Sequence, residues 1–172
     1  MTGCCQQAHM ATPTRRYAGH TRNGSALTEL ILRTFRVHGA LIAAGDRLAH
    51  PLGLTAARWQ VLGSVAGLAH PAPVAHVARE MGLTRQSVQR IADQLVADAL
   101  LEYQDNPHHK RAPLVVMTAR GRKVFAGVTE RQVPWANDLA RGVSSHDIEV
   151  AIDVLRRVEE RLSSSAAALS GE

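Results

Sequence analysis

Residues at steps of three and four define one stripe near the start of the chain: Leu27, Leu30, Ile31, Thr34, His38, Leu41, Ile42, Gly45 and Leu48. That period predicts an amphipathic helix over 26–49, stopped by Pro51 and Gly53. Thr55 then offers an N-cap oxygen to a second helix that turns Trp59, Leu62, Val65 and Ala66 inward. The run His70-Pro71-Ala72-Pro73 breaks the chain before a short helix from Val74 to Met81, a turn at Gly82, and a longer helix capped by Thr84 and running to Leu100. From residue 101 the period changes. Leu101-Glu102-Tyr103 can pair with Leu114-Val115-Val116-Met117 across a polar, basic loop from Gln104 to Pro113, which predicts a β-hairpin. Helical spacing resumes at Thr118 and runs to Arg141 through Val124, Phe125, Val128 and Val133, with Pro134 expected to kink it. After Gly142, Ser144 and Ser145 can cap a last helix carrying Ile148, Ile152, Leu155, Val158 and Leu162; the Ser/Ala-rich tail from Ser163 is expected to fray. No internal repeat is visible.

Composition narrows the class. Of 172 residues, 45% are hydrophobic but only 3% are aromatic, which suits packed helices better than a sandwich of sheets. Lys and Arg outnumber Asp and Glu by 20 to 15, a balance that favours a polyanionic partner. The two cysteines, Cys4 and Cys5, are adjacent and have no thiol elsewhere to staple, so no disulfide framework is expected, in keeping with a reducing cytoplasm. No apolar run approaches the length of a membrane span. The residues before the first helix lack a hydrophobic signal core and predict a disordered arm, with Met10 a second candidate start.

The segment from Val74 to Asp93 carries the chemistry. Ala78 is small where two helices would cross closely, and Gly82, four residues on, allows the positive φ of a tight turn. Val77, Met81, Leu83, Val88 and Ile91 are expected to fill the shared core. The helix after the turn has an apolar face of Val88, Ile91, Ala92, Leu95 and Val96. Thr84, Arg85, Gln86, Ser87, Gln89 and Arg90 form its polar N-terminal part. Arg matches guanine, Gln matches adenine and hydroxyls match phosphate, while the helix N-terminus adds partial positive charge. The hairpin tip adds His108, His109, Lys110 and Arg111, a basic wing suited to phosphates or the minor groove. Adjacent histidines without Cys or carboxylate ligands are poor zinc chemistry, so no metal and no cofactor is expected.

These motifs resemble the MarR family over about 27–162. The run Val74-Ala75-His76-Val77-Ala78-Arg79-Glu80-Met81-Gly82-Leu83-Thr84-Arg85-Gln86-Ser87-Val88-Gln89-Arg90 resembles that family's two central helices. Asn106-Pro107-His108-His109-Lys110-Arg111, followed by Leu114 to Gly121, resembles its wing and the start of its fifth helix. The resemblance implies Gln86, Ser87 and Arg90 in the major groove and Arg111 in the minor groove. It also implies an aspartate two residues before that arginine, bracing the wing; this chain has His109 there. Neutral His cannot make that ion pair, and protonated His would repel Arg111.

The expected fold is mainly α: a winged helix-turn-helix of six helices plus a two-stranded hairpin wing, assembled as an intertwined helical dimer. Its organisation would be a disordered arm over 1–25, a dimerisation helix over 26–50, the DNA-binding domain over 51–119, dimerisation helices over 120–165 and a tail over 166–172. The outer helices carry apolar stripes too long for the winged lobe to cover, so a second copy would bury them and set two recognition helices about 34–36 Å apart on a pseudo-palindromic duplex site. Repression, the commoner outcome in the family, and a small-molecule effector follow from the resemblance, with His38, Trp59 and Leu62 as candidate pocket residues. Cys4 and Cys5 sit outside any helix that thiol sensing would have to move. No phosphate loop, paired-carboxylate site or nucleophile elbow is present, so an enzyme is not expected. The competing reading is a winged-helix module for protein contacts, or for non-specific DNA binding without a ligand response.

Overall fold

A computed structural model describes residues 18–107 and 109–169. The sequence features at Cys4, Cys5, Met10 and His108 lie outside the described residues. Two compact units divide the chain after Phe125.

The first unit opens with α1 (Arg22–Ala49), which starts ahead of the predicted residue 26 because the Thr21 hydroxyl caps it by accepting the Gly24 N–H at 3.0 Å. A single 3-10 turn (His50–Leu52) leads into α2 (Ala56–Ala66), capped by Thr55 as the sequence predicts. Asp46 Oδ1 accepts the Ala56 N–H at 2.7 Å, so a side chain of α1 satisfies an orphan donor at the head of α2. Then come β1 (Ala72–Pro73), α3 (Val74–Glu80), α4 (Arg85–Ala97), β2 (Leu101–Gln104) and β3 (Leu114–Met117).

The predicted hairpin forms between β2 and β3, and a third strand not expected from the sequence joins it. The sheet has three antiparallel strands in the order β1-β3-β2. Leu101 pairs with Met117 and Gln104 with Leu114, while Ala72 pairs with Val115 on the other side of β3. Pro73 has no N–H to give, which suits the outer strand it occupies. The core lies where α2, α3, α4 and the sheet meet. Val61, Leu62, Val77, Val88, Leu95, Leu101 and Val115 are fully buried there. Burying an aliphatic side chain of this size contributes about 1.5–3 kcal/mol, and these residues together hold the unit closed. Among the residues expected inward, Leu83 is 47% exposed and Ala66 is exposed, while Trp59, Met81 and Val96 are only half-buried.

α4 stops at Ala97, short of the predicted Leu100. Ala99 takes a φ of 56°, turning the chain so that the Leu100 N–H closes onto Leu95 O at 2.8 Å and β2 can begin. The corner so formed seats α5 (Ala119–Leu139). Thr118 donates its N–H to Leu100 O at 3.1 Å and its hydroxyl to Ala99 O at 2.8 Å, and its oxygen accepts the Gly121 N–H at 2.9 Å. Gly121 is buried against this corner. A Cβ there would lie 2.0 Å from Leu100 O and 2.9 Å from Met117 Cγ.

The second unit takes in the rest of α5 and α6 (Ser145–Leu169). α5 carries Pro134 in its interior without a break and ends at Leu139, before the predicted Arg141. α6 continues to Leu169 rather than fraying from Ser163; the alanines of that tail are strong helix formers. Ser144 Oγ caps it by accepting the Asp147 N–H at 3.1 Å.

Candidate nucleic-acid interface

The site begins with a turn. Gly82, at a φ of 63°, reverses the chain between α3 and α4, and Leu83 N–H closes the turn on Ala78 O at 2.9 Å. Val77 and Ala78 on one helix and Val88 and Ile91 on the other are buried, which holds α4 on a rigid base. Thr84 caps α4: its Oγ1 accepts the Ser87 N–H at 3.2 Å and lies 2.9 Å from Ser87 Oγ. The two hydroxyls therefore order each other at the positive end of the helix.

Burying one face of α4 leaves the opposite face in solvent. Arg85, Gln86, Ser87 and Arg90 are exposed, and neither arginine forms an ion pair among the described residues. Both guanidinium forks are thus free for planar acceptors such as phosphate or a guanine edge. Arg85, Gln86, Gln89, Arg90, Asp93 and Gln94 line an open trough of about 960 Å³ along this helix. Gln89 differs from its neighbours. It is half-buried, and its amide nitrogen donates to Asp93 Oδ1 at 2.9 Å and to Tyr103 Oη at 2.7 Å. Tyr103 in turn donates to Asp93 Oδ1 at 2.6 Å. Partial burial first, and the carboxylate of Asp93 second, push the Tyr103 phenol well above the ordinary tyrosine range, so it stays a protonated donor at any physiological pH. Sequence reading places Tyr103 in the wing strand and leaves Asp93 without a role. Their meeting depends on β2 packing against α4, which no local pattern announces.

The hairpin between β2 and β3 carries His109, Lys110 and Arg111, all exposed. Among the described residues no aspartate braces Arg111. The tip closes by another route: Asn106 Nδ2 donates to Ala112 O at 2.9 Å, and backbone bonds join His109 N–H to Asn106 O and Ala112 N–H to His109 O. A neutral amide thus shapes the wing where the resemblance implies an ion pair, and Arg111 forms no ion pair among the described residues.

The candidate pocket residues are scattered. His38 is exposed on α1, Trp59 is half-buried on α2, and Leu62 is fully buried in the core. None lines the apolar hollow of about 300 Å³ that lies between the end of α2 and β3, bounded by Val65, Leu68, His70, Val115, Met117, Arg122 and Phe125. Arg122 stands at its edge, with one guanidinium nitrogen donating to Met117 O at 2.6 Å. Among the described residues no cluster of His, Cys, Asp or Glu could hold a metal ion, and no helix is long and apolar enough to cross a membrane.

Comparison with known proteins adds the following. The model of the MarR family matches residues 52–112, from the turn before α2 into the wing. An uncharacterized protein of Mycobacterium tuberculosis is 39% identical over 132 residues, covering 77% of this chain and 91% of the relative. Among solved structures, the transcriptional regulator BldR of Sulfolobus solfataricus superposes with a TM-score of 0.72 at 18% identity, covering 83% of this chain and 99% of BldR. CouR of Rhodococcus jostii, solved with p-coumaroyl-CoA bound, superposes with a TM-score of 0.65 at 22% identity, covering 80% of this chain and 91% of CouR. The mainly helical architecture with a winged helix-turn-helix is that of these regulators.

Proposed function

Because the chain belongs to the MarR family of winged-helix transcription regulators, we propose that it binds a pseudo-palindromic duplex operator as a homodimer, represses transcription from it, and is released by a small-molecule effector. The observation that carries this reading is the solvent face of α4. It presents Arg85, Gln86, Ser87 and Arg90 without ion pairs among the described residues, beside a hairpin tip bearing Lys110 and Arg111. A helix so supported offers base-reading groups on a rigid rod, and the wing supplies phosphate or minor-groove contacts. Arg85, Gln86, Ser87, Gln89 and Arg90 take the major groove, and His109, Lys110 and Arg111 take the flank. Such a protein works in the cytoplasm, alongside its DNA, and carries out no catalysis.

Pairing is supported by apolar surface that each unit leaves in water. On α1, Leu27, Ile31, Phe35 and Leu41 are exposed, Phe35 to 69%. On α6, Ile148, Ile152, Leu155 and Leu162 are exposed on one helical face. Monomeric proteins seldom show contiguous apolar patches above a few hundred Å². A second copy related by a two-fold axis buries the same stripes on both subunits.

The effector reading is supported by CouR, whose structure contains a bound acyl thioester. In this chain the hollow beside Arg122 offers an apolar floor and one cation, chemistry that fits a small aromatic carboxylate. A ligand shifts the DNA-binding equilibrium only by its difference in affinity for the two states.

Arg90→Ala and Arg111→Ala each weaken operator binding by about 1–3 kcal/mol, measured by fluorescence anisotropy on a labelled duplex. Both side chains are exposed, so dimerisation and thermal unfolding stay as in the parent protein. Unchanged affinity in both variants would remove the assignment of these faces.

A further inference from the structure

Glutamine usually recognises adenine through two bonds: its carbonyl accepts from N6 and its amide nitrogen donates to N7. Gln89 is not free to do this. Asp93 carboxylate oxygens only accept, so the group facing them must be the Gln89 amide nitrogen and the Tyr103 hydroxyl proton. With its one proton directed at Asp93 Oδ1, Tyr103 Oη serves Gln89 as an acceptor, at 2.7 Å. Gln89 Nε2 is thereby tied to the Asp93–Tyr103 pair, within hydrogen-bond distance of both oxygens. Its Oε1 accepts no hydrogen bond among the described residues, and the side chain lines the open trough along α4.

We infer that Tyr103 and Asp93 set the base specificity of Gln89 by leaving it only its carbonyl oxygen to present to the major groove. An acceptor alone recognises an exocyclic amine. Adenine N6 and cytosine N4 are the two such amines on the major-groove edge. The position facing Gln89 therefore takes A or C about equally and rejects G and T. The wing strand thus acts on sequence choice through the recognition helix, without touching a base. Tyr103 and Asp93 are positioning residues, and the inference rests on the duplex-DNA reading above.

The experiment is selection from a random duplex library with the full chain, followed by sequencing, for the parent protein, Tyr103→Phe and Asp93→Ala. In the parent, one position in each half-site accepts A and C alike. Tyr103→Phe removes one of the two acceptors that tie Gln89 Nε2, loosens that nitrogen toward N7, and shifts the position toward adenine by about fivefold or more. Asp93→Ala loosens Nε2 by the other route and shifts it the same way, so the result does not hang on one variant folding well. Added Gln89→Ala abolishes the preference in every background, which a purely structural role for Tyr103 would not explain. A parent that already demands adenine, or variants with the parent's preference, would overturn the inference while leaving the DNA reading in place. A parent that enriches no sequence and binds DNA without salt dependence would overturn that reading itself, and this inference with it.

Discussion

Gly121→Ala destabilises the protein by more than about 4 kcal/mol, among the largest effects a single methyl group can have. The new Cβ would lie 2.0 Å from the carbonyl oxygen of Leu100, which is backbone and cannot swing aside. That carbonyl already accepts from Thr118, and Leu100 itself is buried, so relief requires lifting the start of α5 off the α4–β2 corner. The loss is a large share of the 5–15 kcal/mol or so by which domains are usually stable. Gly82→Ala provides the contrast. Its site has open space and a φ of 63°, so only the left-handed backbone is penalised, at about 1–2 kcal/mol. Urea unfolding at matched protein concentration separates the two, since concentration shifts the apparent stability of an oligomer. Equal, small losses in both variants would show that the corner yields easily.

Ile152→Glu converts the protein to a monomer and lowers operator affinity by about 100-fold or more. Ile152 is 59% exposed on α6, so a carboxylate there costs the isolated chain little. In the proposed pair of subunits the same position would be buried, and an unpaired buried charge is strongly disfavoured. Losing the pair forfeits the second recognition helix, and linked sites commonly exceed single ones by factors of about 10²–10⁴. Sedimentation equilibrium reads the assembly and anisotropy reads the affinity. A variant that stays paired and binds as the parent does would place the interface elsewhere.

Local chemistry made much of this fold legible. The caps at Thr55 and Thr84 follow from a hydroxyl that can reach an orphan N–H three residues on, a contact that needs no tertiary partner. The split of α4 into a buried and a solvent face follows from helical period alone, and Val88, Ile91, Ala92 and Leu95 are buried as expected. What sequence concealed depends on contacts between distant segments. Ala72–Pro73 has no alternating pattern to suggest a strand; it becomes one because β3 offers a free edge. Ala99 ends α4 in a conformation that a glycine would have signalled and an alanine hides. Gly121 reads as an ordinary residue at the start of a helix until the Leu100 carbonyl is seen against it. Gln89 falls on the polar side of α4 by period, yet Tyr103, fourteen residues on, ties its amide inward.

The account stands or falls on whether the free arginine face of α4 meets duplex phosphate, and the salt dependence of binding measures that most directly. Anisotropy on a selected duplex, from about 50 to 200 mM salt, should give a slope of log K against log salt steeper than about −5, as expected when two subunits each neutralise at least three phosphates. A slope near zero, with binding undiminished across that range, would contradict it.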